Sequence, residues 1–213
     1  MTVRVLLLVV AVLFAAPLAR AQTKEPIGPF AVDTRVGFPG FKETPEVATA
    51  IGVNTTDLPG RGLGLAFGAH WYPARKGAVT LGLGGEIFLS RGSRNRQPTQ
   101  QGGAEGPAVR TSFSSVAPQL SFNFGARRGW SYISGGIGWV SFTTEVEDKP
   151  LPDPESRTSG INYGGGARWF AKKHVALAID LRFYAISAQE AGRTRPAFPR
   201  MTLVVFTAGA SFK

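Results

Sequence analysis

Cysteine is absent from this chain of 213 residues, histidine occurs only twice, and beyond Ala16 no apolar run is long enough to cross a bilayer as a helix. The lack of cysteine excludes a disulfide scaffold and cysteine-type zinc sites, and it leaves an oxidising compartment open. His70 and His174 are too far apart in sequence to suggest a transition-metal site. Charge is sparse and one-sided, with 14 acidic against 24 basic residues and a formal net charge of +10. The Ala/Glu/Lys/Leu bias of a helical bundle is missing as well. What remains is 43% apolar residues, 11% aromatic residues and 27 glycines, with no collagen-like period. That composition points to a folded, β-rich chain of one domain or at most two small ones.

The first residues read as an export signal. Met1 to Arg4 is a short positive start, Val5 to Ala16 is an unbroken apolar run, Pro17 interrupts it, and Ala19-Arg20-Ala21 fits a cleavage site. A membrane-spanning helix needs about 20 apolar residues, so this run is too short to be an anchor. The expected division is a cleaved signal peptide over residues 1–21 and one exported domain over 22–213. Loss of Arg4 and Arg20 takes two positive charges from the total.

From Phe30 onward the pattern has a period of two, as in strands with two unlike faces. Phe30, Val32, Thr34, Val36 and Phe38 alternate with Asp33, Arg35 and Gly37. Leu63 to Trp71 alternates in the same way until Pro73, read as the end of a second strand, and the turn Ala74 to Gly77 leads into a third. The fourth strand sets Val116, Pro118, Leu120, Phe122 and Phe124 outward, with Pro118 suggesting an edge or a bulge. The fifth is ambiguous; Ile133, Ile137 and Trp139 are taken as its apolar face, against Tyr132 and Val140. The sixth centres on Ile161 to Trp169, the seventh runs from Val175 to Tyr184, and the last from Thr202 to Phe212.

Eight strands result, joined alternately by short and long connections. The long ones are Pro39 to Arg61, Arg91 to Arg110, Glu145 to Ser159 and Ser187 to Arg200. Such loops are unusual inside a compact soluble domain. They are normal on one side of an outer-membrane barrel, whose other side has short periplasmic turns. The second face of the strands is also wrong for water: it carries glycines and single charges rather than a lysine- and glutamate-rich surface. The expected fold is therefore all-β, an eight-stranded antiparallel up-and-down transmembrane β-barrel with its apolar band facing lipid. The alternative is a soluble ligand-carrying barrel with the faces reversed.

The segment Gly164-Gly-Gly-Ala-Arg168-Trp-Phe, the turn Ala171-Lys-Lys-His174 and the strand Val175 to Tyr184, with Asp180-Leu-Arg182 at its centre, carry a family resemblance. The chain resembles the small eight-stranded outer-membrane barrels of the OmpA/OmpX type. That resemblance implies a final aromatic residue read by the barrel-assembly machinery. Phe212 supplies it, displaced by one position because Lys213 follows.

Several candidate sites follow from this arrangement. Asp33, Glu86 and Asp180 face Arg35, Arg168 and Arg182 in the interior, an even balance that favours a paired network. Its readings are a structural plug or an ion-selective gate. Trp71, Trp130 and Trp169 lie near the short turns, where tryptophan marks a membrane interface. Arg75-Lys76, Arg127-Arg128 and Lys172-Lys173 give each short turn a basic pair, suited to anionic headgroups or simply to water. The second long loop is basic (Arg91, Arg94, Arg96, Arg110) and the third acidic (Glu145, Glu147, Asp148, Asp153, Glu155), which suits an extracellular partner or lipopolysaccharide phosphates.

No serine stands at period-two spacing from a histidine on the outer face, so a lipid A-modifying enzyme is the weakest option and no catalytic residue is assigned. Gly84-Gly85 and Gly164 to Gly166 lack the helix a nucleotide motif needs, so no cofactor or metal is expected. Nucleic acid is not expected, for want of any recognition motif. The expected function is a monomeric outer-membrane protein that contacts membrane lipids and stabilises the envelope or presents four external loops. A narrow, low-conductance pore is the alternative.

Overall fold

A computed structural model describes residues 25–98, 105–149, 157–188 and 199–213. The expected signal peptide, residues 1–21, lies outside the described residues, as do Asp153 and Glu155 of the acidic loop. Eight strands form the fold: β1 Phe30–Gly40, β2 Leu63–Lys76, β3 Val79–Arg96, β4 Gly106–Ala126, β5 Gly129–Val146, β6 Arg157–Phe170, β7 Val175–Ile186 and β8 Met201–Phe212. Each pairs antiparallel with the next, and β8 closes on β1.

The register fixes the shape of the ring. From Phe30 the paired residues are Trp71, Leu83, Leu120, Gly135, Tyr163, Phe183 and Val204, and Val204 pairs back to β1 at Gly40. One circuit thus advances from residue 30 to residue 40. With strands ~4.8 Å apart and a rise of ~3.3 Å per residue, that stagger tilts the strands by about 40° to the barrel axis. An eight-stranded ring of this kind has room for side chains and little else.

The prolines do not end strands. At Pro73 the β2–β3 register shifts between Trp71 and Ala74, and β2 then continues to Lys76. The missing N–H is absorbed by a bulge, so the expected stop at Pro73 is corrected. The tight turn is Gly77-Ala78, with Gly77 at φ 60° in the left-handed region. Pro118 lies within a closed sheet that has no edges; the β4–β5 ladder is interrupted there, between Val116↔Trp139 and Leu120↔Gly135.

Two of the long connections are shorter than expected, because β3, β4 and β5 run for 18, 21 and 18 residues. Their upper parts project beyond the apolar band as a β-ribbon. The first long connection contains a short helix, α1 (Pro45–Ile51), and a 3₁₀ turn at Thr55–Asp57. Gly52 ends α1 in the left-handed conformation, and its N–H reaches back to Thr49 O.

The apolar faces point outward, as the alternation indicated, including Ile133, Ile137 and Trp139 on β5. Tyr132 and Val140 point inward and are buried. One aromatic assignment is corrected. Trp71 and Trp169 are 58% and 49% exposed on the outer wall, but Trp130 is only 3% exposed and packs inside the barrel. The reason is parity: Trp130 shares the inward face of β5 with Tyr132. At two interior positions glycine leaves space for an aromatic side chain. A Cβ at Gly37 would lie 2.5 Å from the Phe88 ring, and one at Gly166 would lie 2.7 Å from the Tyr132 hydroxyl.

This arrangement predicts how the tryptophans meet lipid. In single-tryptophan variants reconstituted with brominated phospholipids, Trp71, Trp139 and Trp169 are expected to be quenched and Trp130 to be protected. Quenching of Trp130 to the same degree would contradict its inward placement.

Candidate functional site

The barrel interior is built in layers. Nearest the short turns, Ile27, Ala31, Tyr72, Trp130 and Tyr132 form an apolar cluster with Phe170 against it. Trp130 stacks on Phe170 at 5.0 Å between ring centroids and meets Tyr72 edge-on at 6.0 Å. On the loop side lies a second cluster of Phe41, Phe88, Phe113, Tyr184, Leu203 and Val205 with their neighbours. Above it, Val47 and Ala48 of α1 pack with Leu58, Val109 and Val146. The charged layer sits between the apolar ends.

All six charges expected inside are buried there, and they divide into two groups. In one, Arg168 Nε and Nη2 donate to the two carboxylate oxygens of Asp33 at 2.9 and 2.5 Å, a fork-to-carboxylate geometry. The Arg168 guanidinium also lies 4.3 Å from the centre of the Tyr132 ring, a cation–π contact. In the other group, Glu86 and Asp180 alternate with Arg35 and Arg182. Arg35 reaches Glu86 at 2.5 Å and Asp180 at 3.5 Å, while Arg182 reaches Glu86 at 3.2 Å and Asp180 at 2.9 Å. Tyr132 joins the groups, since its hydroxyl donates to Asp180 at 2.8 Å while its ring faces Arg168.

Neutral groups complete the coordination of these charges. The Tyr184 hydroxyl donates to Glu86 at 2.9 Å. Arg182 donates to Ser134 and to Asn162, which also accepts from Gln119. A buried charge needs such partners, because the interior gives no water to replace them. The register explains the meeting of residues far apart in sequence: Asp180 pairs with Gly166 across β6–β7, and Asp33 pairs across β1–β2 with Gly68, where a Cβ would lie 3.4 Å from the Asp33 carboxylate.

The basic pairs are not all placed alike. Arg127-Arg128 and Lys172-Lys173 occupy turns, but Arg75 and Lys76 belong to the end of β2, beside the Gly77-Ala78 turn, because the bulge at Pro73 lengthens that strand. Phe212 faces outward, 43% exposed. Lys213, beyond it, closes the short-turn end. Its Nζ donates to Arg127 O and lies 3.6 Å from the centre of the Phe170 ring, and its carbonyl is held by His174 Nδ1 at 2.8 Å. Partial burial and the adjacent Arg127 lower the Lys213 pKa, with Glu25 acting the other way. Glu25 is itself bonded to Arg127 at 2.8 Å.

In the crown, Arg94 bridges Glu43 and the Thr56 carbonyl, and Arg110 pairs with Glu147. Asp57 accepts from the backbone N–H of Asn54 and of Gln97, which ties the first connection to β3. His70 is buried inside the barrel, away from any lipid-facing serine. The loop-side apolar cluster was missed by alternation. A signal was present on β8, where Leu203 to Phe206 is apolar on both faces, the mark of a strand with neither side facing water.

No known family profile matches the sequence, and no curated protein does. Among solved structures, the chain is similar to Neisserial surface protein A (NspA), with a TM-score of 0.53, 11% identity, and coverage of 87% of this chain and 97% of that one. The attachment invasion locus protein Ail of Yersinia pestis, solved with the heparin analogue sucrose octasulfate, aligns at a TM-score of 0.48 and 10% identity, over 87% and 99%. The outer membrane enzyme PagL aligns at 0.46 and 13%, over 86% and 99%. The fold is that of the small eight-stranded outer-membrane barrels.

The Asp33–Arg168 pair supplies a test of the interior. Asp33→Ala leaves a buried guanidinium without its carboxylate and is expected to cost about 3–5 kcal/mol. The double variant Asp33→Leu/Arg168→Met is expected to recover a large part of that loss. Urea unfolding of the detergent-refolded protein measures both, and simple additivity of the single substitutions Asp33→Leu and Arg168→Met in the double variant would contradict a coupled pair.

Proposed function

We propose that this chain is an outer-membrane anchor: a filled, non-conducting barrel that stabilises the envelope and holds a charged crown above the membrane for contact with a surface partner. The observation that carries this reading is the layered interior. An open pore needs a continuous polar path, whereas here apolar clusters lie on both sides of the charged layer. Each charge is paired with an opposite one, and Tyr132, Tyr184, Ser134 and Asn162 add hydrogen bonds to them, which suits a plug better than a selectivity filter.

The outer wall supports the membrane setting. Phe30, Val32, Phe67, Leu83, Phe122, Ile137 and Leu177 are among many large apolar side chains exposed around the barrel. A surface of that extent is an aggregation hazard in water and a match for hydrocarbon. The basic residues at the short turns favour contact with anionic headgroups on that side. A non-enzymatic role is supported by the histidines, because His70 is enclosed in the barrel and His174 holds the Lys213 carbonyl. Export through residues 1–21 and assembly through the outward Phe212 belong to the same reading.

Heat-modifiable migration in detergent gels tests the membrane barrel, and a chain that stays soluble without detergent would defeat it. For the plug, liposome swelling is expected to show no sugar flux, and planar-bilayer conductance of Asp180→Ala is expected to equal the wild-type baseline. A steady wild-type conductance altered by that substitution would favour the gate.

A further inference from the structure

The outer wall carries one feature that a uniform lipid-facing surface does not require. An open groove of about 580 Å³ crosses β1 to β5 at the upper rim of the apolar band. Two rows of paired residues build it. One runs Val36, Leu65, Leu89, Ser114, Ser141, and the residue paired to Ser141 just beyond the groove, on β6, is Arg157. The other runs Leu63, Arg91, Ser112, Thr143.

The tilt of the strands raises each row as it passes from β1 to β6. The leucine and valine end therefore lies within the apolar band, and the hydroxyl end lies above it. On β4 and β5 the last large apolar residues below the groove are Val116 and Trp139, both exposed outward. Ser112, Ser114, Ser141 and Thr143 form a block of four hydroxyl side chains, two directly opposite two, with Arg91 on one flank and Arg157 on the other. These arginines stand on strands three apart, about 14 Å across the sheet.

Their charge is what distinguishes the groove. Arg94 and Arg110 are neutralised by Glu43 and Glu147, but among the described residues neither Arg91 nor Arg157 is in an ion pair. Both are exposed. Leucine against hydrocarbon, hydroxyls at headgroup height and two uncompensated guanidiniums beside them match an amphiphile in each of its parts. Acyl chains meet the apolar end, sugar hydroxyls meet the serines and threonine, and phosphate meets arginine.

We propose that this groove binds a phosphorylated, acylated glycolipid of the outer leaflet, held on the barrel wall rather than by the loops. The site rests on the membrane reading above. Arg91 and Arg157 supply the charge recognition, and the small hydroxyl side chains leave the depth into which the headgroup settles.

Native mass spectrometry of the full chain in detergent tests this, with bis-phosphorylated lipid A, the same lipid A without phosphate, and phosphatidylethanolamine as probes. The wild type is expected to retain phosphorylated lipid A at least tenfold better than either other lipid. Arg91→Gln/Arg157→Gln is expected to abolish that preference, and Ser114→Leu/Ser141→Leu, which fills the recess, to lower retention at least tenfold. Lys149→Gln, at an exposed lysine beyond the end of β5, is expected to leave it unchanged. Equal retention of lipid A by wild type and both double variants, or equal binding of phosphatidylethanolamine, overturns the site. A heat-modifiable wild type that binds no lipid A overturns the site alone, whereas a chain that partitions into the aqueous phase overturns the membrane reading with it.

Discussion

The closure of β8 onto β1 is the constraint on which the other features depend. Backbone groups facing hydrocarbon have no water to bond, so a spanning sheet must pair every strand on both sides. Here the ring closes with Val32 opposite Phe212 and Gly40 opposite Val204. The stagger of that closure sets the tilt, the tilt sets the radius, and the radius leaves an interior only as wide as its side chains. Proline is tolerated within this ring because its effects are local: a bulge at Pro73, and an interrupted stretch of one ladder at Pro118.

Narrowness explains why the interior contains a layered core. Near the short turns, where Trp130 and Phe170 stack, and near the loops, where Phe88, Phe113 and Tyr184 meet, apolar side chains fill the space. Between them six charges neutralise each other, with the carboxylates accepting from the Tyr132 and Tyr184 hydroxyls and Arg182 donating to Asn162 and Ser134. Tyr132 is the element these layers share, since it packs in the lower cluster, faces Arg168 and donates to Asp180. Gly166 must stay small for that hydroxyl to reach its place.

The same geometry gives the outer wall its asymmetry. β3, β4 and β5 are the longest strands, so they rise past the apolar band and carry polar residues into headgroup height. Below the band the basic residues gather at the turns, and Lys213 covers the aromatic rings at the mouth. Above it, Arg94 and Asp57 tie the first connection down, so that α1 packs onto the barrel top instead of projecting from it.

Alternation in the sequence was enough to determine the strands, their outward faces and the six interior charges, because a side chain in a strand has only two directions to point. It also determined the alternating loop lengths, since antiparallel neighbours in a membrane need one short side. The partners of the charges were not legible, because Asp33 and Arg168 are 135 positions apart and only the register brings them together. Trp130 was misplaced by its position near a turn, although its parity with Tyr132 already pointed inward. The upward course of β3 to β5 through residues that look like loop, the hydrophobic fill above the charges, and the union of Arg91, Arg157 and four hydroxyls on one wall were decided by tertiary structure alone. Each depends on the stagger of the closed ring, a property of all eight strands together that no local stretch of sequence contains.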